Sequence, residues 1–250
     1  MCFDQLRSYF AVRVRKDLHF RRVMETDLAM RWLNSGTGQR ILDIGCGDGT
    51  YDYRLVRQGA TVVGIDIDRQ RLRRASHHHL GCGLVFLEAR AESIPVRSGS
   101  FDSVMSLCVF EHLAHDDQVL AEARRALQSR GRLLLTLDSF SRPDVSECWR
   151  NHLRKTHGVS QLYTVSAIES KLQQQGFRLL RSRYVMSSPL DLHLIKLSYD
   201  TEHMKPVWAA LIRTFLVTAG RLISHLANTG LSADSGWTLM VEASLECPRG

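Results

Sequence analysis

Ile41-Leu-Asp-Ile-Gly-Cys-Gly-Asp-Gly-Thr50 is the stretch on which the fold turns. An apolar run, Arg40 to Ile44, reads as a buried strand. It runs into a glycine-rich turn, and a helical pattern follows from Thr50 to Gln58. Gly45 and Gly47 allow backbone to approach a ligand where a Cβ would clash. Strand, glycine turn and helix together predict the first unit of an α/β sheet.

The same alternation continues downstream. Strands are expected at Thr61–Ile65, Leu84–Leu87, Phe101–Leu107 and Gly131–Leu137, with helices at Arg69–His79 and His115–Gln128. Continuous apolar strands separated by helices imply parallel pairing with both faces covered. Right-handed crossovers then give a doubly wound sheet. Upstream, Gln5–Leu33 reads as helix, broken at Asn34–Gly38. Ser139–Ser160 reads as polar and irregular. Thr164 starts a helix ending at Gly176, strands follow at Phe177–Met186 and Trp237–Leu245, and an apolar helix spans Pro206–Leu226. The predicted class is α/β, Rossmann-like and seven-stranded, mostly parallel with the last strand antiparallel, and a helical insertion precedes that strand. The 250 residues are read as one domain: a helical segment 1–38, a core 39–138 and an acceptor-side half 139–250 with the insertion at 190–232.

Composition excludes other classes. Hydrophobic residues make up 44 % and charged residues 24 %, too apolar for a disordered chain. The net charge of +7 comes from scattered Arg, densest in the first thirty residues and in Arg142–Lys155. None of the six cysteines forms a C-x-x-C pair, so reduced thiols in a cytoplasm are expected rather than disulfides or zinc. The N-terminus is charged from Asp4 onward and lacks the apolar core of a signal peptide.

Charge around the loop selects the ligand. Asp43 and Asp48 would repel a dinucleotide pyrophosphate and attract an ammonium or sulfonium. Thr50 stands where a dinucleotide loop has its third glycine. Asp66, about 20 residues beyond the loop at the end of the second strand, suits a pair of ribose hydroxyls. A cation beside Asp43 and an unphosphorylated ribose at Asp66 describe S-adenosylmethionine.

Leu42-Asp-Ile-Gly-Cys-Gly-Asp-Gly49, Gly64-Ile-Asp-Ile-Asp68, Ala91-Glu-Ser-Ile-Pro95, Phe101-Asp102, Glu111-His112 and Gly131-Arg-Leu-Leu-Leu135 occur in this order. In these pieces the chain resembles the class I S-adenosylmethionine-dependent methyltransferases with a LDIGCGxG loop, over about Ile41–Leu137. The resemblance implies that Asp43 faces the methionine amino group and that Gly45, Cys46 and Gly47 line the cofactor. It implies that Asp66 takes the ribose, Ile67 covers one adenine face, Ala91 and Glu92 meet the adenine, and the Leu107 carbonyl meets the amino group. Arg90 departs from the family, which often has an acidic residue there; Glu92 or the Ala91 backbone would substitute. Asp102 reads as structural, and Asp68 equally as a helix N-cap or a ligand.

His112 is the candidate general base, just past the fourth strand's carboxyl end, with Glu111 to orient it or bind the acceptor. Cys108-Val-Phe-Glu-His112 resembles the E-x-x-E-H pattern of ubiquinone-pathway O-methyltransferases, some of which use a divalent cation. Cys108 replaces the first Glu, so no metal is assigned. His77–His79 reads as surface. Acceptor-binding pieces are expected at Phe10–Phe20, Ser139–Tyr163 and Leu190–Leu231. The helix at 206–226 has three readings besides core packing: a lid, a dimer contact or a membrane-surface element; Arg213 and Arg221 argue against a span. The expected activity is methyl transfer, with O-methylation favoured, to a small, partly apolar acceptor in the cytoplasm, with peripheral membrane contact open and nucleic acid disfavoured. The alternatives are an RNA or protein methyltransferase using Arg142–Lys155, a non-catalytic cofactor-binding subunit, and a dinucleotide oxidoreductase. The oligomeric state is not read from the sequence.

Overall fold

A computed structural model describes residues 19–34, 36–78, 83–201, 204, 206–227 and 234–246. The expected helix upstream of Phe20 and the acceptor piece before His19 lie outside these residues.

Seven strands form one sheet: β1 (Arg40–Ile44), β2 (Thr61–Asp66), β3 (Leu84–Glu88), β4 (Phe101–Leu107), β5 (Leu127–Asp138), β6 (Phe177–Val185) and β7 (Thr238–Leu245). Their order is β3-β2-β1-β4-β5-β7-β6. The first five run parallel, and β7 is antiparallel to both β5 and β6. The chain walks outward from β1 to β3, then restarts on the other side with β4. The switch between β1 and β4 opens a crevice at their carboxyl ends, where ligands bind in open sheets.

Helices α1 (Phe20–Leu33), α2 (Thr50–Val56), α3 (Arg69–His78), α4 (Asp116–Ala126), α5 (Glu147–His157), α6 (Val165–Gln174), α7 (Pro189–Asp200) and α8 (Pro206–Ala227) surround the sheet. Two cores result, one on each face. α4 and α6 supply Val119, Leu120, Ile168 and Leu172 to one. α1, α2 and α7 supply Phe20, Leu28, Leu33, Leu55 and Ile195 to the other, closed by Trp237. α8 packs outside, on α1 and α7.

Two expectations are corrected. Leu127 and Gln128 belong to β5, not to the preceding helix: Leu127 pairs with Phe101, and the register shifts before Ser103. Arg130, at φ 62°, turns the chain back into line. The segment read as irregular holds α5. Its apolar residues are few, but its ends carry helix chemistry: the Ser146 hydroxyl accepts from the Trp149 amide, and Gly158 closes the helix in the left-handed region. α7, likewise unread, begins with a capping box between Ser188 and Asp191 and has Pro189 in its first turn.

Candidate active site

The loop after β1 is held open by its glycines. Gly45, Gly47 and Gly49 sit at φ 80°, 60° and 69°, in the left-handed region. The Gly45 and Cys46 amides donate to the Ile65 carbonyl at 2.8 and 2.9 Å. A Cβ on Gly45 would lie 2.4 Å from Val109 Cγ2, so the loop after β1 and the loop after β4 touch. A Cβ on Gly47 would meet nothing within 4 Å. Gly47 therefore faces open space, as a ligand-facing glycine should.

Asp66 closes the other side. Its Oδ2 accepts from the Gly47 amide at 2.9 Å and its Oδ1 from the Asp68 amide at 2.8 Å. Each oxygen keeps a lone pair for a further donor. Ile67 follows with its side chain 66 % exposed, an apolar surface beside the loop. Asp68 accepts from the Gln70 and Arg71 amides and so caps α3. At the β3 end, the Ala89 amide donates to the Asp66 carbonyl, and Arg90 pairs with Glu92 at 3.3 Å. The Glu92 carboxylate thus stands beside Ala91 with a cation against it. Asp102 lies at the opposite end of the sheet, where it accepts from the Arg40 amide at 2.7 Å and from Gln128 at 2.6 Å. It is structural.

Beneath the loop, Asp43 faces Asp52, a residue the sequence did not single out. Both are buried. Burial and the Asp52 charge raise Asp43 well above the ordinary carboxylate range. Burial pushes Asp52 up to about 7. Burial and mutual repulsion thus favour a proton on this pair, and a cation brought to the loop would favour its release. Cys46 is buried beside them, and burial pushes its thiol up, so it packs rather than reacts.

Past β4, Cys108 takes φ 54°, a conformation that non-glycine residues adopt rarely and often at functional sites. Leu107 precedes it, at the strand's carboxyl end opposite Thr136. Phe110–His112 then form a single 3-10 turn. His112 is exposed, and its Nδ1 lies 3.1 Å from the Gly158 carbonyl. With Nδ1 donating there, Nε2 carries the free lone pair. Nε2 is 4.0 Å from Glu111 Oε1. Glu111 is fully buried and neither carboxyl oxygen has a hydrogen-bond partner. Burial raises both Glu111 and its neighbour Asp138. Asp138 has the Arg21 guanidinium in contact, whereas the Glu111 carboxyl has no hydrogen-bond partner.

A second feature missed by the sequence lies beside these residues. Arg21 and Glu25 of α1, Cys108, Asp138 and Thr238 form one buried cluster. Arg21 Nε bonds Glu25 at 2.8 Å, its NH2 bonds Asp138 and lies 3.5 Å from Cys108 Sγ, and Thr238 donates to Glu25. Glu25, Cys108 and Asp138 present ligand-type atoms within 4.8 Å of one another, yet Arg21 stands among them as their cation. No sequence spacing could reveal this group, because it unites positions from 21 to 238.

Residues 42–135 match the model of a methyltransferase domain. Over those residues the chain carries a methyltransferase domain. It is 32 % identical over 115 residues to the ubiquinone biosynthesis O-methyltransferase of Ralstonia nicotianae, an overlap covering 44 % of this chain and 48 % of that protein. It is 25 % identical over 191 residues to the demethylmenaquinone methyltransferase of Tropheryma whipplei, covering 69 % of this chain and 78 % of the relative. Among solved structures, the [4+2]-cyclase SpnF superposes with a TM-score of 0.64 at 19 % identity, covering 89 % of this methyltransferase-fold chain and 80 % of the cyclase. That likeness shows the fold alone. No described helix is long and apolar enough to cross a membrane.

Proposed function

We propose that this chain binds S-adenosylmethionine over the Gly45–Gly49 loop and transfers its methyl group to a hydroxyl oxygen of a small, partly apolar acceptor. The observation that carries the reading is the carboxylate-lined glycine loop: a backbone left open at Gly47, with Asp43, Asp52 and Asp66 around it. These residues fit a cationic amino acid joined to a ribose and repel a pyrophosphate.

The cofactor supplies an electrophilic methyl on a sulfonium. The chain's residues do the rest. Asp66 takes the ribose hydroxyls and Ile67 covers the adenine, with Ala91 and Glu92 at its edge. The Asp43 side of the loop and the Leu107 carbonyl hold the amino group. His112 Nε2 removes the acceptor's hydroxyl proton as the oxygen attacks, and its Nδ1–Gly158 bond fixes the tautomer that can do so. Protonated Glu111, buried without a partner, donates a hydrogen bond to the acceptor or steadies His112.

The name of one relative, a ubiquinone biosynthesis O-methyltransferase, favours an oxygen acceptor. The polyanion alternative loses support because the arginines of the basic segment are engaged within the chain. Arg142 is buried and bonds Asp144 and the Met186 and Ser188 carbonyls. Arg150 bonds the Arg142 carbonyl and pairs with Glu147, as does Arg154.

The test is incubation with methyl-labelled S-adenosylmethionine and an extract of the source cells, followed by partition. Label in the organic-soluble, low-mass fraction is expected. Label confined to RNA or protein contradicts the acceptor class, and no transfer despite cofactor binding points to a non-catalytic subunit.

A further inference from the structure

Among the described residues, eleven large apolar side chains are exposed, and eight of them lie between Leu190 and Leu222. Five share one stripe of α8: Val207, Trp208, Leu211, Phe215 and Leu222, each 59–68 % exposed. From Trp208 the stripe runs 208, 211, 215, 218, 222. That alternation of three and four is the spacing of a helix seam packed on another helix. The opposite side of α8 is already in use: Ala209, Arg213, Leu216 and Val217 are buried, and a Cβ on Gly220 would lie 2.8 Å from the Phe20 ring of α1. Thr214, Thr218 and Arg221 are also exposed on α8, but they do not make the face polar. Thr214 donates to the Ala210 carbonyl and Thr218 to the Thr214 carbonyl, both at 2.8 Å, so each hydroxyl is satisfied within the helix. Arg221 is turned aside by its ion pair with Asp27 at 2.5 Å.

We infer that this stripe is the contact with a second copy of the chain, with the two α8 helices antiparallel across a two-fold axis near Phe215. Three features favour a second copy as the occupant. The first is area. The five stripe residues with Met204 present roughly 600–700 Å² of apolar surface, so a pair would bury about 1,300 Å², within the range of specific interfaces and above the usual patch on a monomer. The second is charge. α8 carries no acidic residue, and the one charge beside the stripe, Arg221, is drawn aside to Asp27, which it shares with Arg54, so the apolar faces meet without opposed charges at their centre. The third is self-complementarity, which a two-fold contact requires. With Phe215 on the axis, Trp208 meets Leu222 of the other copy, and Leu211 meets the methyl of Thr218. The antiparallel sense also opposes the helix dipoles and keeps the two Arg221 side chains apart. The contact stands one helix away from the α1 cluster of Arg21 and Glu25, and does not depend on the methyltransferase reading.

Sedimentation of the full chain between about 1 and about 100 µM is the test. A dimer is expected, and Phe215→Lys should weaken it at least ~100-fold by placing two ammonium groups face to face. Leu211→Glu should do the same, with far-UV circular dichroism unchanged for both. Phe215→Cys should form a disulfide-linked dimer under mild oxidation, because only a two-fold at that residue sets it against itself. A monomer throughout, or a dimer that neither charged variant disturbs, overturns the inference. So does a monomer that sediments with phosphatidylcholine–phosphatidylglycerol vesicles and loses that with Phe215→Lys, which would make lipid the occupant. A monomer that dimerises only when residues 1–18 are removed would make the chain's own N-terminus the cover, and would equally refute it.

Discussion

Asp52 sets the charge under the glycine loop. Its carboxyl and that of Asp43 hold protons more tightly in the folded protein than in the unfolded chain. Such raised groups contribute stability that is full below the unfolded carboxylate range and is lost as pH rises through about 7. Asp52→Asn should therefore flatten the decline in stability between pH 5 and pH 8, by on the order of 2 kcal/mol, measured by urea denaturation at both values. An unchanged slope would clear the pair of this role. At His112 the expected effect is kinetic. His112→Ala should lower turnover about 100-fold or more while cofactor affinity, by calorimetry, stays within about twofold. Equal loss of both would make it a binding residue. At this scale the sequence was informative where a residue type had few uses. Gly45 and Gly47 were legible as turn glycines, and capping was one of two readings open for Asp68. Asp52 was not legible, because a polar residue in a helix is usually solvated, and only the fold turns this one beneath the loop.

The element that separates packing from binding is the loop itself. Gly45 and Gly47 are both left-handed, but their surroundings differ. Gly45→Ala should cost stability, about 2–4 kcal/mol, from backbone strain plus the collision with Val109. Val109→Ala should recover part of it. Gly47→Ala should cost only the strain, about 1–2 kcal/mol, yet should lose cofactor affinity, because its methyl enters the space left for the ligand. Thermal melts and calorimetry on both variants separate the two effects. If Gly47→Ala binds as well as wild type, Gly47 does not face the ligand. Strands β1 to β4 were read almost to the residue, since buried parallel strands leave unbroken apolar runs between glycine turns. α5 escaped because its few apolar residues give a weak period, and its signature lay in Ser146 and Gly158. The join between α4 and β5 escaped because Leu127 suits either element, and pairing with Phe101 decides it.

Across the whole molecule, α1 is tied to the sheet through charge as well as apolar contact. Arg21 bonds Glu25 on its own helix and Asp138 on β5, and Thr238 on β7 reaches Glu25. Arg21→Met leaves Asp138 without its cation and Glu25 with only Arg22, 3.9 Å away, and should cost about 3–5 kcal/mol. Adding Glu25→Gln and Asp138→Asn should recover a sizeable part, as neutral amides need no counter-charge. Equal stability of the single variant and wild type in urea melts would show that the cluster does not hold α1. The topology as a whole was legible because local periods fix it. This cluster and the exposed stripe of α8 were not, since each depends on which faces meet after folding.

The central claim is that carboxylates around an open glycine loop select S-adenosylmethionine. Calorimetric titration of the wild-type chain and Asp66→Ala, each with S-adenosylmethionine and with NAD, tests it most directly. Wild type should bind S-adenosylmethionine and not NAD, and Asp66→Ala should weaken that binding at least ~10-fold through the lost hydrogen bonds to the ribose and the loop. Tighter binding of NAD, or an affinity for S-adenosylmethionine unaffected by Asp66→Ala, would contradict it.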